Sequence, residues 1–143
     1  MKLTEFIPLR PNSNKFILLA DAAVSAGEPC EIPDDFEQCD INEYLTNGKD
    51  GVYLIRVVGD SMEAEIFHGD QLIVNRNLQA EHGDKIIASV GGSFTVKIFS
   101  QSPREGLRLV AKNGKYKPRK ILPKDDFEIF GVVTHVIRKL KKN

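Results

Sequence analysis

From Val52 onward, the hydrophobic positions come in short runs rich in β-branched residues and bounded by Gly, Asp, Asn or Pro. This pattern is typical of strands joined by tight turns. The last run is long enough for a helix, but Gly131 and its β-branched neighbours favour a strand. The pattern therefore predicts a mainly β domain from about residue 40 to the end, with strands at 52–58, 71–75, 85–90, 94–99, 106–111 and 127–137.

One small helix is predicted just before these strands, over residues 40–45. Asp40 can cap its N-terminus, Glu43 can complete a capping box, and Gly48 can supply a left-handed stop. These three signals stand in the order that a short helix requires.

The first 39 residues show no periodicity long enough to bury a face. Residues 1–14 are polar and carry two prolines, which predicts a loosely held terminus. Residues 16–19 form a short apolar run that is compatible with an edge strand, and residues 21–37 are small, acidic and proline-bearing. We therefore expect residues 1–39 to form an extended N-terminal arm and residues 40–143 to form the domain.

Charge is divided unevenly along the 143 residues, although the net charge is zero. Residues 1–50 hold four basic and ten acidic side chains, a net charge of −6, whereas residues 51–143 hold sixteen and ten, a net charge of +6. Such a division favours an arm that lies on the basic body or on a second copy of it. Two solvated faces that never meet would give the same numbers.

Neither a membrane location nor a cofactor is indicated. No apolar run approaches the length of a membrane span and no signal sequence is evident, so we expect a cytoplasmic protein.

Cys30 and Cys39 match neither a zinc site nor a disulfide framework. Two His-Gly-Asp repeats, at 68–70 and 82–84, favour turns over a metal site, because no further ligands stand at workable spacing. His135 is expected to be packed or at the surface rather than catalytic.

Ser61 and Lys97 are the residues that could carry chemistry, since a neutral lysine can replace histidine as the base that activates a serine. Ser61 ends an apolar run, and free N–H groups beside it could hold an oxyanion. Asp60 or Ser61 could equally cap a short helix over residues 62–65. Lys97 could equally be a surface lysine of a half-buried strand. The local pattern leaves both alternatives open.

Lys97 can act as a base only if its surroundings disfavour the ammonium ion. Its pKa must fall from about 10.4 to roughly 7–8, which corresponds to roughly 3–5 kcal/mol. Desolvation is able to supply that free energy. Strand alternation places Thr95, Lys97 and Phe99 on one face and Phe94 and Val96 on the other, so an aromatic residue neighbours Lys97.

The ordered set of motifs resembles the LexA/UmuD family of self-cleaving serine-lysine peptidases. The similarity extends over about residues 20–140, and the set is more specific than any one tripeptide. Its members are the cleavage-like segment Ala22–Gly27, then Gly59–Met62, His68–Asp70, His82–Asp84, Phe94–Lys97 and Phe130–Val136.

The resemblance implies a fold and a set of site residues. The fold would be LexA/signal-peptidase-like, with several curled β-sheets, an extended N-terminal arm and one short helix. Ser61 would be the nucleophile, Lys97 the general base, and the bond between Ala26 and Gly27 the one that is cleaved. The backbone N–H of Ser61 would be the oxyanion donor.

Within the family, the chain resembles UmuD more than LexA, because the residues before the catalytic part are acidic and lack a pair of amphipathic helices. This resemblance implies an SOS-response mutagenesis protein that cuts its own arm when stimulated by RecA filaments on single-stranded DNA. The trimmed homodimer would then act with an error-prone translesion DNA polymerase of the UmuC type. It implies no cofactor, no membrane and no sequence-specific DNA binding.

Two other functions remain possible at this point. The chain could be a polymerase-accessory binding module that keeps the fold without essential cleavage. It could also be a repressor-type DNA-binding protein, although its basic residues have little aromatic interleaving. Those residues are Arg104, Arg108, Lys112, Lys115, Lys117, Arg119 and Lys120. A signal peptidase also uses serine and lysine, but it needs a membrane anchor.

Overall fold

A computed structural model describes residues 2–9, 17–20 and 36–141 of the chain. These residues belong to two units, one made of residues 2–9 and 51–141 and the other made of the described part of residues 10–50. Ser61 and Lys97 both lie in the first unit.

The described residues form one α-helix and ten strands. In chain order these are β1 (Lys2–Pro8), β2 (Ile17–Ala20), β3 (Phe36–Cys39), α1 (Ile41–Thr46), β4 (Val52–Val58), β5 (Gln71–Asn75), β6 (Lys85–Val90), β7 (Ser93–Ser102), β8 (Gly106–Val110), β9 (Arg119–Lys120) and β10 (Phe127–Ile137). Eight of them form a single antiparallel sheet with the order β1-β4-β5-β10-β6-β7-β8-β9. The mainly β fold is therefore confirmed.

Most strand bounds agree with the sequence pattern. β4, β5, β6 and β10 have the predicted bounds, β7 begins one residue earlier and ends three residues later than predicted, and β8 ends at Val110. β9 was not predicted, because two basic residues carry no strand pattern. The short helix considered at residues 62–65 is absent from the described chain, where the segment forms turns.

The expectation of a loosely held N-terminus is wrong for residues 2–8. β1 pairs with β4 along its length, from Lys2 opposite Val58 to Pro8 opposite Tyr53. Pro8 is tolerated because β1 is an edge strand, where a missing N–H does not break a ladder. An exposed arm was predicted over residues 21–37. Residues 21–35 lie outside the described residues, and the last two, Phe36 and Glu37, begin β3.

In the other unit, β2 and β3 form an antiparallel pair and α1 follows β3. The carboxylate of Asp40 caps α1 by accepting hydrogen bonds from the N–H groups of Asn42 and Glu43, at 2.9 and 3.3 Å. The left-handed residue that ends α1 is Asn47, with φ of 56°, and Gly48 follows with φ of 73°. The predicted cap is confirmed, and the stop comes one residue earlier than predicted.

Two hydrophobic clusters lie in the sheet unit. The first, called cluster 1, contains Ile55, Val57, Met62, Ile66, Leu72, Val74, Ile87 and Val96. The second, called cluster 2, contains Ile86, Ala88, Phe99, Leu109 and Val132. Successive side chains of a strand point to opposite faces, so β7 supplies Val96 to cluster 1 and Phe99 to cluster 2. This alternation directs Lys97 toward the side of cluster 2.

Candidate active site

Ser61 lies in the turn that follows β4, and that turn is anchored in the core. Met62, its neighbour, is fully buried in cluster 1, and Ser61 itself is only 1% exposed. The turn is closed by a hydrogen bond from the N–H of Ile66 to the carbonyl of Met62, at 2.9 Å. Because the turn is not a helix, Ser61 is not a helix cap, and that alternative reading of the sequence is wrong.

Lys97 reaches the same turn from β7. Its Nζ atom donates to the Oγ atoms of Ser61 and Thr95, both at 2.9 Å, and to the carbonyl of Val96 at 3.2 Å. Its opposite neighbour on β6 is the fully buried Ile86. The structure thus brings the two predicted residues into hydrogen-bond contact. It also shows that Lys97 is not an ordinary surface lysine.

Burial lowers the pKa of the Lys97 amine from its ordinary value. Among the described residues, no carboxylate forms an ion pair with Lys97 that would offset this desolvation. At a pH near neutrality, the fraction of the amine in its neutral form is therefore larger than in an exposed lysine. A neutral amine at 2.9 Å from a hydroxyl is placed to accept its proton.

A pocket of about 200 Å³ opens beside the Lys97 amine. Its lining is largely apolar and contains the half-exposed ring of Phe94. The residues that line it are Val90, Ser93, Phe94, Thr95, Lys97, Leu109 and Arg119. A pocket of this size can take a small side chain of an extended peptide.

A loop after β8 forms hydrogen bonds to the Ser61 turn. Local sequence patterns did not reveal these contacts. Asn113 donates from its backbone N–H to the carbonyl of Ser61 at 2.9 Å and from its Nδ2 to the carbonyl of Asp60 at 3.1 Å. The Tyr116 hydroxyl donates to the carboxylate of Asp60 at 2.5 Å. This hydrogen bond lowers the pKa of Asp60 and raises the pKa of Tyr116.

The two His-Gly-Asp repeats form turns, as predicted. Gly69 and Gly83 have φ of 90° and 94°, a region in which glycine is favoured. Both histidines are exposed, and each accepts a backbone hydrogen bond: His68 from Gly59 and His82 from Gln101. His135 is also exposed.

Asp70, which ends the first of these repeats, does more than form a turn. It is 2% exposed and accepts two hydrogen bonds from the guanidinium group of Arg138, at 2.7 and 2.6 Å. It also accepts the N–H of Phe67, whose ring lies under that guanidinium group. Burial raises the pKa of Asp70, but these hydrogen bonds and the charge of Arg138 outweigh it, so the net pKa is lowered.

Two groups of predicted residues have different outcomes. Ala26, Gly27 and Cys30 lie outside the described residues. Of the seven basic residues that were considered for DNA binding, Arg108 pairs with Glu105 and Lys112 pairs with Glu65.

Within the described part of the chain, no helix has the length and hydrophobicity of a membrane span.

Comparison with known proteins places this chain in a family. The sequence pattern of the family described as Peptidase S24-like matches residues 18–134. Protein ImpA of Salmonella typhimurium is 37% identical over 127 residues, which cover 87% of this chain and 85% of ImpA. Protein MucA of the same organism is 36% identical over 115 residues, covering 78% of this chain and 77% of MucA.

A LexA repressor, that of Corynebacterium jeikeium strain K411, is 38% identical over 99 residues, covering 68% of this chain and 35% of the repressor. The resemblance drawn from the ordered motifs is confirmed by these matches. The chain belongs to the Peptidase S24-like family, the LexA/UmuD-like group of serine peptidases.

Proposed function

We propose that this protein cleaves its own N-terminal segment between Ala26 and Gly27, with Ser61 as the nucleophile and Lys97 as the general base. The observation that carries the proposal is the 2.9 Å contact between the Lys97 amine and the Ser61 hydroxyl, in surroundings that lower the pKa of the amine. Membership of a peptidase family supports the same chemistry.

The reaction begins when the segment around residue 26 lies extended across the pocket. Neutral Lys97 takes the hydroxyl proton of Ser61 as Oγ attacks the carbonyl carbon of Ala26. The tetrahedral intermediate collapses, the bond to the Gly27 nitrogen breaks, and the Lys97 ammonium gives its proton to that nitrogen. Lys97 then takes a proton from a water molecule as the water oxygen attacks the ester carbonyl. The bond to Ser61 Oγ breaks, Oγ receives that proton from Lys97, and residues 1–26 leave as a carboxylic acid that ionises in solution.

The backbone N–H of Ser61 is the proposed oxyanion donor. Within the described part of the chain it has no hydrogen-bond acceptor, so it is free to donate to the developing charge. The small residues Ala26 and Gly27 suit this arrangement, because bulky side chains on either side of the bond would clash in a narrow cleft.

The biological role that fits this reaction is SOS mutagenesis. In this role, RecA filaments on single-stranded DNA stimulate cleavage in the cytoplasm, and the trimmed homodimer acts with a UmuC-type translesion polymerase. The matches to ImpA and MucA extend over most of those proteins, whereas the match to the repressor covers 35% of its length. This difference favours the mutagenesis role over a repressor role.

Mass spectrometry of the purified protein tests the cleavage. After incubation at alkaline pH, or with RecA filaments near neutral pH, we expect two fragments, residues 1–26 and 27–143. Ser61→Ala and Lys97→Ala should both abolish them. Ser102→Ala and Lys124→Ala, which change the same residue types away from the site, should cleave normally. Cleavage of either site variant at the same bond would refute the assignment.

The partnership requires a separate measurement. We expect residues 27–143 to be dimeric in sedimentation and to bind a UmuC-type polymerase more tightly than the uncleavable Ser61→Ala chain does. Equal binding of both forms would instead favour an accessory module that works without cleavage.

A further inference from the structure

Asn113 fixes the direction of the peptide group that supplies the proposed oxyanion donor. Its Nδ2 atom donates to the carbonyl oxygen of Asp60 at 3.1 Å, and this carbonyl also accepts the N–H of Glu63 at 3.1 Å. In a planar trans peptide group, the C=O and N–H bonds point in opposite directions. The two donors that fix the direction of the Asp60 carbonyl therefore also fix the direction of the Ser61 N–H bond.

The next peptide group is held in the same way. The backbone N–H of Asn113 donates to the carbonyl of Ser61 at 2.9 Å. This contact fixes the direction of the Met62 N–H, which belongs to the same peptide plane. One residue of a distant loop therefore restrains the peptide groups on both sides of the nucleophile.

Tyr116 supplies a second tie between the same loop and the same turn. Its hydroxyl donates to the Asp60 carboxylate at 2.5 Å, and its backbone N–H donates to the carbonyl of Asn113 at 3.1 Å. A hydrogen bond to a charged acceptor is stronger than a neutral one. The loop and the turn are thereby joined through side chain and backbone together.

We infer that Asn113 and Tyr116 are positioning residues for self-cleavage, which preorganise the N–H of Ser61 toward the oxyanion while leaving the Lys97 base unchanged. This inference rests on the proposed function. Preorganised donors are effective because they need no reorientation when the charge develops. Neither residue contacts the amine of Lys97, so the two contributions to the rate are separable.

The experiment uses the full chain and three substitutions that leave the charge of the protein unchanged. Asn113→Ser removes the Nδ2 donor but can still accept the N–H of Lys115, which Asn113 accepts now at 3.1 Å. Tyr116→Phe removes one hydroxyl. Asn75→Ser is the matched control, since Asn75 accepts the N–H of Asn77 in the same two-residue pattern but does not contact the Ser61 turn.

First-order self-cleavage rates across pH 7–10 give a plateau rate and a midpoint for each variant. We expect Asn113→Ser to lower the plateau rate at least about tenfold. Complete loss of one oxyanion donor lowers kcat by a factor of about 10²–10³, and a misdirected donor keeps part of its stabilising effect. Tyr116→Phe should lower it by a smaller factor. Both variants should keep the midpoint pH of the wild-type protein. Asn75→Ser should keep the wild-type plateau rate and the wild-type midpoint.

A merely structural role would give a different result. If the loop only stabilised the fold, Asn113→Ser would lower the melting temperature and shift the midpoint toward the ordinary lysine pKa, since Lys97 would become wetter. That result, or a natural plateau rate in Asn113→Ser, would overturn the inference.

A second readout does not depend on the N-terminal segment. Ser61 should react with a fluorophosphonate probe, and Asn113→Ser should slow that reaction as it slows self-cleavage. If the natural chain cleaves itself and Asn113→Ser matches it, only the inference fails. If the natural chain neither cleaves nor reacts, the proposed function fails and the inference fails with it.

Discussion

The amine of Lys97 lies 2.9 Å from the hydroxyl of Ser61, although 36 positions separate the two residues in the chain. Two structural features create this contact. The Ser61 turn is anchored by the buried Met62, and β7 is held in register with β6, where Lys97 faces Ile86. The position of the Lys97 amine therefore depends on the packing of the core as much as on either residue.

The rate of self-cleavage should rise with pH. Lys97 accepts a proton only when neutral, and burial lowers its pKa, so the rate should level off below the ordinary lysine pKa of 10.5. Below the midpoint the rate should rise about tenfold per pH unit, because one proton must be lost. First-order rates from mass spectrometry at several pH values measure the profile. A flat profile from pH 6 to 10 would contradict a lysine base.

Burial of Lys97 should also make stability depend on pH. A lysine with a lowered pKa binds fewer protons in the folded than in the unfolded state between its lowered pKa and 10.5, so stability rises with pH in that interval. Below the interval, the protein bears the cost of burying the ammonium ion.

The comparison that isolates this effect is made in an uncleavable background. The free energy of unfolding of Ser61→Ala should rise relative to Ser61→Ala/Lys97→Met, by up to about 1.4 kcal/mol per pH unit inside the interval. Urea unfolding from pH 7 to 10 measures both proteins. Parallel stability curves would show that Lys97 is not desolvated.

The strands were predictable because their signal is local. Alternation of β-branched residues gave the bounds of β4, β5, β6 and β10, and it directed Lys97 and Phe99 to one face of β7. β1 was missed because Pro8 at its end and Pro11 just beyond it resemble chain breakers, although its Leu3 and Phe6 pack against cluster 1. Local composition did not reveal that packing contact.

The site was only partly predictable, for a similar reason. Ser61 and Lys97 stood out through their order among known motifs, and neither would have stood out from its own surroundings. The supporting contacts join distant residues: Asn113 reaches Asp60 across 53 positions, and Arg138 reaches Asp70 across 68. No pattern of period two or 3.6 encodes such contacts.

Removal of Arg138 should destabilise the protein, because Asp70 would keep a buried and unpaired charge. Arg138→Met should lower the free energy of unfolding, by less than the loss of one partner from a fully buried ion pair, since the Arg138 side chain is 42% exposed. Urea unfolding at pH 7 measures the loss. Arg104→Met, at an exposed position, is the control and should change little.

The charge itself is tested by a second substitution. Asp70→Asn in the Arg138→Met background should recover part of the lost stability, because a neutral amide costs less to bury than a carboxylate. If the double variant were less stable than Arg138→Met, unpaired charge would not be the cause of the loss.

Substitution of Gly131 in β10 should destabilise the protein for steric reasons. A Cβ atom there would lie 2.8 Å from Cγ1 of Val74 and 3.0 Å from the carbonyl oxygen of Asn75, and this backbone atom belongs to the neighbouring strand β5. Because β5 cannot move without disturbing the ladder, Gly131→Ala should cost about 1–3 kcal/mol, as overpacking does elsewhere. Gly114→Ala is the matched control, since a Cβ there meets nothing within 4 Å. Urea unfolding should therefore separate the two variants clearly. Equal midpoints would mean that β5 and β10 adjust to the added methyl group at no cost.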